Sequence, residues 1–155
     1  MRRRLFKTGL VLGLVSAFSF ALVPTAAAAT IEKRGLVRDS GCYGRIIDTW
    51  PIINDVGNRT GTLELWYSSR NGGENCAITR SSVGRAEMLV ILTLDMDGNR
   101  RYSPGDRISS DHGVYDRYAG GAYRSDADGR CVRVQGVIWK SGISGGALSG
   151  FEHCG

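Results

Sequence analysis

The sequence predicts an all-β fold, a small antiparallel sandwich or barrel stapled by disulfides. Three observations support this prediction. Short segments alternate apolar and polar residues with the two-residue period of a strand, glycine-rich turns separate them, and no long helical period is present. Four cysteines add the means of cross-linking neighbouring strands.

Residues 61–79 carry the clearest hairpin signal. The residues of the first arm that we expect to face a core are Leu63, Leu65 and Tyr67. Residues 71–73 read Asn-Gly-Gly, which tolerates the positive φ angles of a tight hairpin turn. Because the return arm contains Cys76, we expect this hairpin to be a disulfide anchor as well.

The segments on either side of the hairpin are the next two strands. Residues 43–53 contain Pro51, which restricts this strand to a sheet edge or a strand end because proline has no N–H to donate. Residues 86–94 are the most apolar part of the chain after its leader. Apolar side chains at odd and even positions predict a strand buried on both faces, with a helix as the alternative.

The rest of the chain alternates turns and shorter strands. Residues 100–113 are polar and are expected to form a loop, whereas residues 114–124 and 130–139 carry strand-like apolar positions. Residues 141–150 are rich in glycine and serine and are expected to be mobile. Residues 151–155 would then close the chain as a short final strand.

The first 29 residues have the order of a secretory signal peptide, with basic, apolar and small residues in succession. The apolar run is shorter than the roughly 18 to 20 residues that span a bilayer, so we expect export and release, with no membrane attachment afterwards. Residues 30–40 are charged and are expected to form a flexible N-terminal arm. Residues 41–155 would form a single secreted β domain.

The net charge argues against a nucleic-acid partner. The full sequence has 20 basic and 15 acidic residues, a formal charge of +5. Four of the basic residues lie in the signal peptide, so its removal leaves 16 against 15 and a net charge of +1. The remaining charges are mixed along the chain, which is typical of a solvated surface and not of a basic patch.

The cysteines are Cys42, Cys76, Cys131 and Cys154. An even number in an exported chain predicts two disulfides, and the absence of a Cys-x-x-Cys pair makes a zinc site a weak alternative. Three connectivities are possible for four cysteines. We favour Cys42 with Cys76 and Cys131 with Cys154, because each pair would bracket neighbouring strands.

One acidic turn is a weak candidate for calcium. Counted from Asp95, the residues at ligand positions three, five, nine and twelve of a calcium loop are Asp97, Asn99, Ser103 and Asp106. Position six of such a loop requires a glycine, but Arg100 stands there. We therefore favour a plain Asp-Gly turn, and we expect neither a metal nor another cofactor.

The two histidines do not indicate catalysis. His112 lies in the polar run 109–113, Ser-Ser-Asp-His-Gly, and His153 adjoins a cysteine. A serine, an aspartate and a histidine within one loop do not form a triad, because the three roles need side chains that converge from different elements. We name no catalytic residue and expect that the protein is not an enzyme; a small hydrolase using His112 is the least favoured reading.

Aromatic residues offer a candidate binding surface. Trp66 points to the face opposite the apolar one, and Tyr115 or Tyr118 would lie nearby. An exposed aromatic set can stack on the sugar rings of a cell-wall glycan or anchor a protein partner. The alternative, which we favour, is that another part of the fold covers Trp66.

Several blocks together resemble the spore-associated protein A family of actinomycetes. They are residues 61–69, 73–79, 111–120, 129–136 and 153–155. Their order and spacing are similar to the family over about residues 41–155, although residues 95–107 are longer and more acidic than its pattern. The resemblance implies a small secreted four-cysteine protein found with spores or aerial growth, with no established enzymatic activity or cofactor.

The expected function is therefore that of a secreted, non-enzymatic protein associated with the spore or cell surface. Its partner would be a spore-coat or cell-wall component. The alternative is a secreted binding module, either a cell-wall glycan binder or a hydrolase inhibitor, and exposure of Trp66 and Trp50 would favour it.

Overall fold

An eight-stranded antiparallel sheet that curls into a nearly closed barrel forms the body of the protein. The computed structural model describes residues 41–155, so the expected signal peptide and N-terminal arm lie outside the described residues. The strands are β1 (Arg45–Asn54), β2 (Arg59–Ser68), β3 (Glu74–Ser81), β4 (Ala86–Leu94), β5 (Arg107–Tyr115), β6 (Tyr118–Ser125), β7 (Val132–Lys140) and β8 (Ile143–Leu148). The prediction of an all-β fold is confirmed. Within residues 41–155, no helix is present that could cross a membrane.

The strand order is β5-β4-β7-β8-β1-β2-β3-β6. The first and last strands of this order follow each other in the chain and lie side by side, but no backbone ladder joins them within the described residues. Side chains bridge this seam instead. Asp111 Oδ2 on β5 accepts a hydrogen bond from the Gly120 backbone N–H on β6 at 2.8 Å, and the Arg124 guanidinium donates to the Ile108 carbonyl.

The main core fills the interior of the barrel. Its largest members have at most 1% of their surface exposed and come from four strands, because alternate residues of each strand point inward. They include Ile52, Leu63, Leu65, Met88, Val90, Leu92, Val132, Val134 and Ile138. Burial of each such side chain contributes roughly 1.5 to 3 kcal/mol relative to exposure, so this interior stabilises the sheet.

The predicted hairpin is present, with all of β3 paired to residues 61–68 of β2. Asn71, Gly72 and Gly73 at its turn all have positive φ angles, of 53°, 70° and 80°. The structure also agrees with the prediction that Pro51 lies at an edge of the sheet or the end of a strand. Because β1 pairs with β8 only through Ile53 and Asn54, Pro51 has a partner strand on one side alone.

The strand in residues 86–94 is confirmed against the helix alternative, but it is not buried on both faces. Met88, Val90 and Leu92 point into the barrel, whereas Leu89 and Ile91 are half-buried on the outside. The outer face of a barrel strand has no second sheet above it, so its apolar residues stay partly in solvent.

Two segments expected to lack regular structure are strands. Residues 107–113 belong to β5, which pairs with β4 over its whole length, and residues 143–148 belong to β8, which pairs with β7. The loop prediction for the first and the mobile prediction for the second are therefore wrong. Polar and glycine-rich segments adopt strands here because the apolar strands β4 and β7 supply the partner backbone.

The two disulfides join Cys42 to Cys76 and Cys131 to Cys154, the pairing that the sequence analysis favours. The first attaches the segment before β1 to β3, and the second attaches the last residues of the chain to the start of β7. Disulfides are typical of an oxidising compartment. The second disulfide also fixes the residues that follow β8 at one end of the barrel.

Candidate functional site

The three aromatic residues proposed from sequence do not form one exposed surface. Trp66 is 6% exposed and packs with Cys42, Cys76 and Ile78 in a second cluster outside the barrel. The segment around Cys42 lies over it, and its indole N–H donates to Glu64 Oε2 at 3.1 Å. Trp66 faces away from the main core, as predicted, and the favoured prediction that another part of the fold covers it is confirmed. The less favoured candidate, an exposed binding surface at Trp66, is wrong.

The two tyrosines of that set lie on different clusters. Tyr115 is half-buried against the main core and donates its hydroxyl to Asp111 Oδ1 at 2.5 Å, a bond that raises the pKa of Tyr115. Tyr118 is half-buried against the Trp66 cluster and lies beneath the Arg80 guanidinium. Trp50 is also half-buried and packs on the main core. An aromatic stacking face built from these residues is therefore absent from the described part of the chain.

The acidic turn after β4 brings the calcium candidates together. Ligand oxygens of Asp95, Asp97 and Asp106 lie within 4.8 Å of one another. Both Asp95 oxygens, however, accept backbone N–H groups, from Gly98 and Arg100 at 2.8 Å each.

The other carboxylates of this turn are engaged in the same way. Asp106 accepts the N–H groups of Met96 and Ser103, and Asp97 accepts both the N–H and the side-chain amide of Asn99. The oxygens that a cation would use thus hold the turn in its own conformation. This arrangement agrees with the favoured prediction of an Asp-Gly turn.

Burial alone would raise the pKa of Asp95, which is 1% exposed. The N–H groups of Arg100 and Gly98 favour the charged form more strongly, and the pKa of Asp95 lies below its usual value. Asp95 is therefore a charged acceptor that organises the turn.

The histidines lie far apart in the fold. His112 Nε2 is 2.9 Å from Glu87 Oε1 on the neighbouring strand, and its ring meets Trp139 edge to face at 5.8 Å. His153 Nε2 lies 3.2 Å from Asp48 Oδ2. Within residues 41–155, neither ring contacts a serine, threonine or cysteine by a hydrogen bond. Asp111 bonds across the seam while its neighbour His112 pairs with Glu87 on another strand, so they do not form a catalytic pair.

A recess lies at the end of the barrel where the hairpin turn and the last residues of the chain meet. It consists of two adjoining cavities of about 670 and 390 Å³, within the usual range for small-ligand sites. Both are walled by Ile47, Tyr67, His153 and Gly155. We call this recess the mouth groove. Arg45 lines only the larger cavity, and Asn75 and Asp128 line only the smaller one.

The acidic side of the mouth groove is built by the hairpin turn. The backbone N–H groups of Asp128 and Ala127 donate to the carbonyls of Gly72 and Gly73, each at 3.1 Å. This bonding holds Asp128 against the end of β2, where Tyr67 donates its hydroxyl to Asp128 Oδ1 at 2.7 Å. The groove therefore depends on a contact between residues 61 positions apart in the chain.

The pKa of Tyr67 depends on the charges around its hydroxyl group. The hydrogen bond to Asp128 raises the pKa of Tyr67, as do burial and the negative charge of Asp128, whereas the positive charge of Arg45 lowers it. Tyr67 thus stands between an anion and a cation. Within the described residues, neither Arg45 nor Asp128 has an ion-pair partner within 4 Å.

Asn75 supplies a buried polar group at the floor of the smaller cavity. The residue is 3% exposed, and its side-chain oxygen has no hydrogen-bond partner. The other such atom in the described chain is Nε of Arg124, which stands opposite Asn75 on β6. A buried amide without a partner costs free energy, so this position favours a ligand that supplies one.

The last residues of the chain complete the groove. Cys154 is tied to Cys131, and His153 beside it bonds to Asp48 on β1. Ligand atoms of Asp48, Glu152 and His153 lie within 4.8 Å of one another, and imidazole with two carboxylates is a donor set that divalent transition metals accept. Of the described residues, these and the Asp95 turn are the two groups that meet this condition.

None of the groove residues stands out in the sequence. They come from β1, β2, β3, the turn before β7 and the chain end, and no local pattern links them. Two sequence features could have indicated this groove. They are the Asp-Gly turn at residues 126–129 and Cys154, which fixes the end of the chain.

Comparison of the chain with protein-family models, curated proteins and solved structures found no match.

Proposed function

We propose that this chain is a secreted, non-enzymatic protein of the cell or spore surface, which attaches to its target through the mouth groove. The observation that carries the proposal is the groove itself. It combines an apolar wall with two unpaired charges and a buried amide that lacks a partner. Recognition sites typically have this composition, with a few placed polar groups in an otherwise apolar recess.

The proposal of secretion is supported by the leader sequence and by the two disulfides, which suit an oxidising compartment. Association with spores rests on the sequence resemblance alone.

A non-enzymatic role is supported by the state of the reactive groups. All four cysteines are in disulfides, so no thiol nucleophile is left. Each histidine is paired with a carboxylate, and neither pairing extends to a hydroxyl nucleophile in the described residues. A general base without a nucleophile in reach does not assemble the usual covalent mechanism.

The glycan-binding alternative loses the aromatic surface on which it was based, since Trp66 is buried. Tyr67 and Ile47 still provide an apolar wall in the groove, so sugar binding there is a competing outcome of the test. For the hydrolase-inhibitor alternative, no contact among residues 41–155 gives specific support.

The test is a pull-down of the oxidised domain with insoluble peptidoglycan, chitin and intact spores, at low and moderate salt. We expect retention on peptidoglycan or spores that survives moderate salt, because screening weakens surface charge attraction more than contacts inside a recess. The double variant Arg45→Gln/Asp128→Asn should lose this retention.

A matched control is the double variant Arg85→Gln/Asp116→Asn. It also removes one cation and one anion, from an exposed ion pair of 3.0 Å that does not line the groove. Retention of this control together with loss for the groove variant supports the proposal. No retention of the wild type on any material, or equal retention of both variants, contradicts it.

A further inference from the structure

The mouth groove has opposite charges at its two parts. Asp128 lines the smaller cavity and Arg45 the larger one, and the shared wall of Ile47 and Tyr67 runs between them. Both charges lie near Tyr67 and shift its pKa in opposite directions, Asp128 upward and Arg45 downward. Neither charge is neutralised by a partner from the described residues.

We propose that the mouth groove binds a short peptide with free ends, whose ammonium group meets Asp128 and Asn75 and whose carboxylate meets Arg45. This inference rests on the proposed function and names its ligand class. Asp128 keeps one oxygen available, because Tyr67 occupies only Oδ1. An ammonium group carries three N–H donors, which can serve that oxygen and the Asn75 amide together.

In the larger cavity of the groove, the Arg45 guanidinium is suited to bind a carboxylate. A guanidinium is planar and presents parallel N–H donors that match the two oxygens of a carboxylate. Ile46, which is 45% exposed beside Arg45, and Ile47 offer apolar contact to the short side chains of such a peptide.

A neutral glycan explains these features less well. It would leave both charges of the groove without a counter-charge, although it could bond to the amide. Two sources at a cell surface offer an ammonium group and a carboxylate within one short segment. They are the peptide part of peptidoglycan, through the side-chain amine of its diamino acid and its terminal carboxylate, and short peptides released from surface proteins. Retention on purified peptidoglycan against retention on spores alone distinguishes these sources.

The experiment is a calorimetric titration of the oxidised domain with di-, tri- and tetra-alanine, which vary the spacing of the two charged ends. The best of these is then compared with its N-acetylated and its C-amidated forms. Each cap removes one charge and leaves the rest of the peptide unchanged. We expect each capped form to bind about tenfold more weakly, as for the loss of one charge-assisted hydrogen bond.

Two variants test which end of the peptide each charged residue binds. Asp128→Asn should bind the free and the N-acetylated peptide alike, and Arg45→Gln should bind the free and the C-amidated peptide alike. Asp116→Asn and Arg85→Gln, which change an exposed pair outside the groove, should behave as the wild type. Melting curves show whether the variants are folded, and the comparison of capped with free peptides on the wild type needs no variant at all.

The inference is overturned if free and capped peptides bind equally, or if a chitin trisaccharide binds more tightly than every peptide. It is also overturned if no peptide binds. If retention on peptidoglycan or spores still requires Arg45 and Asp128 in that case, the proposed function stands and only the ligand class is wrong. If that retention fails as well, both proposals fall.

Discussion

Two polar regions of the molecule, the Asp95 turn and the mouth groove, contain similar residues but differ in how these are bonded. In the Asp95 turn, the carboxylates of Asp95, Asp97 and Asp106 all accept N–H groups from within the turn. In the groove, Arg45 and Asp128 have no ion-pair partner within 4 Å in the described chain, and the Asn75 oxygen has no hydrogen bond. Polar side chains are therefore structural where the backbone uses their hydrogen-bonding atoms, and suited to recognition where those atoms are left without a partner.

The largest effect should come from the disulfide that touches both regions. The Cys131 carbonyl accepts the N–H of Asp95, and Cys154 lies in the groove wall. Replacing both cysteines by serine opens a loop of 23 residues, and chain entropy predicts a loss of about 3 kcal/mol in the free energy of unfolding. Urea denaturation measures this loss.

The control is the same replacement at Cys42 and Cys76, which are 34 residues apart and line neither cavity of the groove. It should cost a similar free energy but leave binding to wall material unchanged. Equal loss of binding in the two double variants would show that the end of the chain does not shape the groove.

The second effect concerns the Asp95 turn alone. Asp95→Ala leaves the N–H groups of Gly98 and Arg100 without their acceptor, and we expect a loss of about 2 kcal/mol in stability with no change in retention on peptidoglycan or spores. Because the folded pKa of Asp95 lies below its unfolded value, its contribution is complete above about pH 4 and is lost as the pH falls through the lower, folded value.

Denaturant unfolding at several pH values between 6 and 2 tests whether the stabilisation by Asp95 is lost on acidification. The wild type should lose stability on acidification more steeply than Asp95→Ala, so the two curves converge at low pH. Parallel curves would mean that Asp95 does not provide the acid sensitivity.

A smaller effect should come from the contact between the hairpin turn and Asp128, which positions one side of the groove. Gly73 has a φ of +80°, and a Cβ placed there would lie 2.1 Å from Asp128 Oδ1. Gly73→Ala should therefore cost about 1 kcal/mol more than the backbone strain alone, and it should displace Asp128 from Tyr67. The pKa of Tyr67 would then move down toward its ordinary value, which ultraviolet absorbance of tyrosinate follows during a titration.

Gly57→Ala is the matched control, because Gly57 has a φ of +84° with no atom within 4 Å of the added Cβ. It carries the same strain without the collision, so it should leave the Tyr67 titration unchanged. If the two variants are equally stable and titrate alike, the contact between the hairpin turn and Asp128 is not what positions the carboxylate.

The smallest expected effect is that of calcium on the Asp95 turn. Since its carboxylates already serve backbone donors, millimolar calcium should produce no heat in calorimetry and no change in melting temperature. A saturable heat that disappears in Asp97→Ala would show that a cation can replace those donors.

Much of the fold could be predicted from the sequence, because local patterns determine it. The alternation around Leu63 and Leu65 and the turn at residues 71–73 indicate the hairpin without knowledge of any neighbour. β5 and β8 could not be recognised in the same way. Their polar and glycine-rich sequences become strands only through pairing with apolar β4 and β7, a property that lies outside those segments.

The groove was beyond sequence reasoning for a related reason. Tyr67 and Asp128 meet only because the turn before β7 bonds to the hairpin turn, and His153 joins them only after Cys154 is tied down. Alternation could not decide between a covered and an exposed Trp66, because it shows only to which side of a strand a residue points. It does not show what covers that side.

The seam between β5 and β6 has a consequence for the proposed role at a cell or spore surface. Free strand edges are templates for edge-to-edge association, and chains held at high local density are the most exposed to it. Here the two edges of the sheet face each other, with Asp111 and Arg124 occupying backbone groups that an incoming strand would need. We therefore expect the closed seam to disfavour edge-to-edge polymerisation without blocking the proposed binding groove.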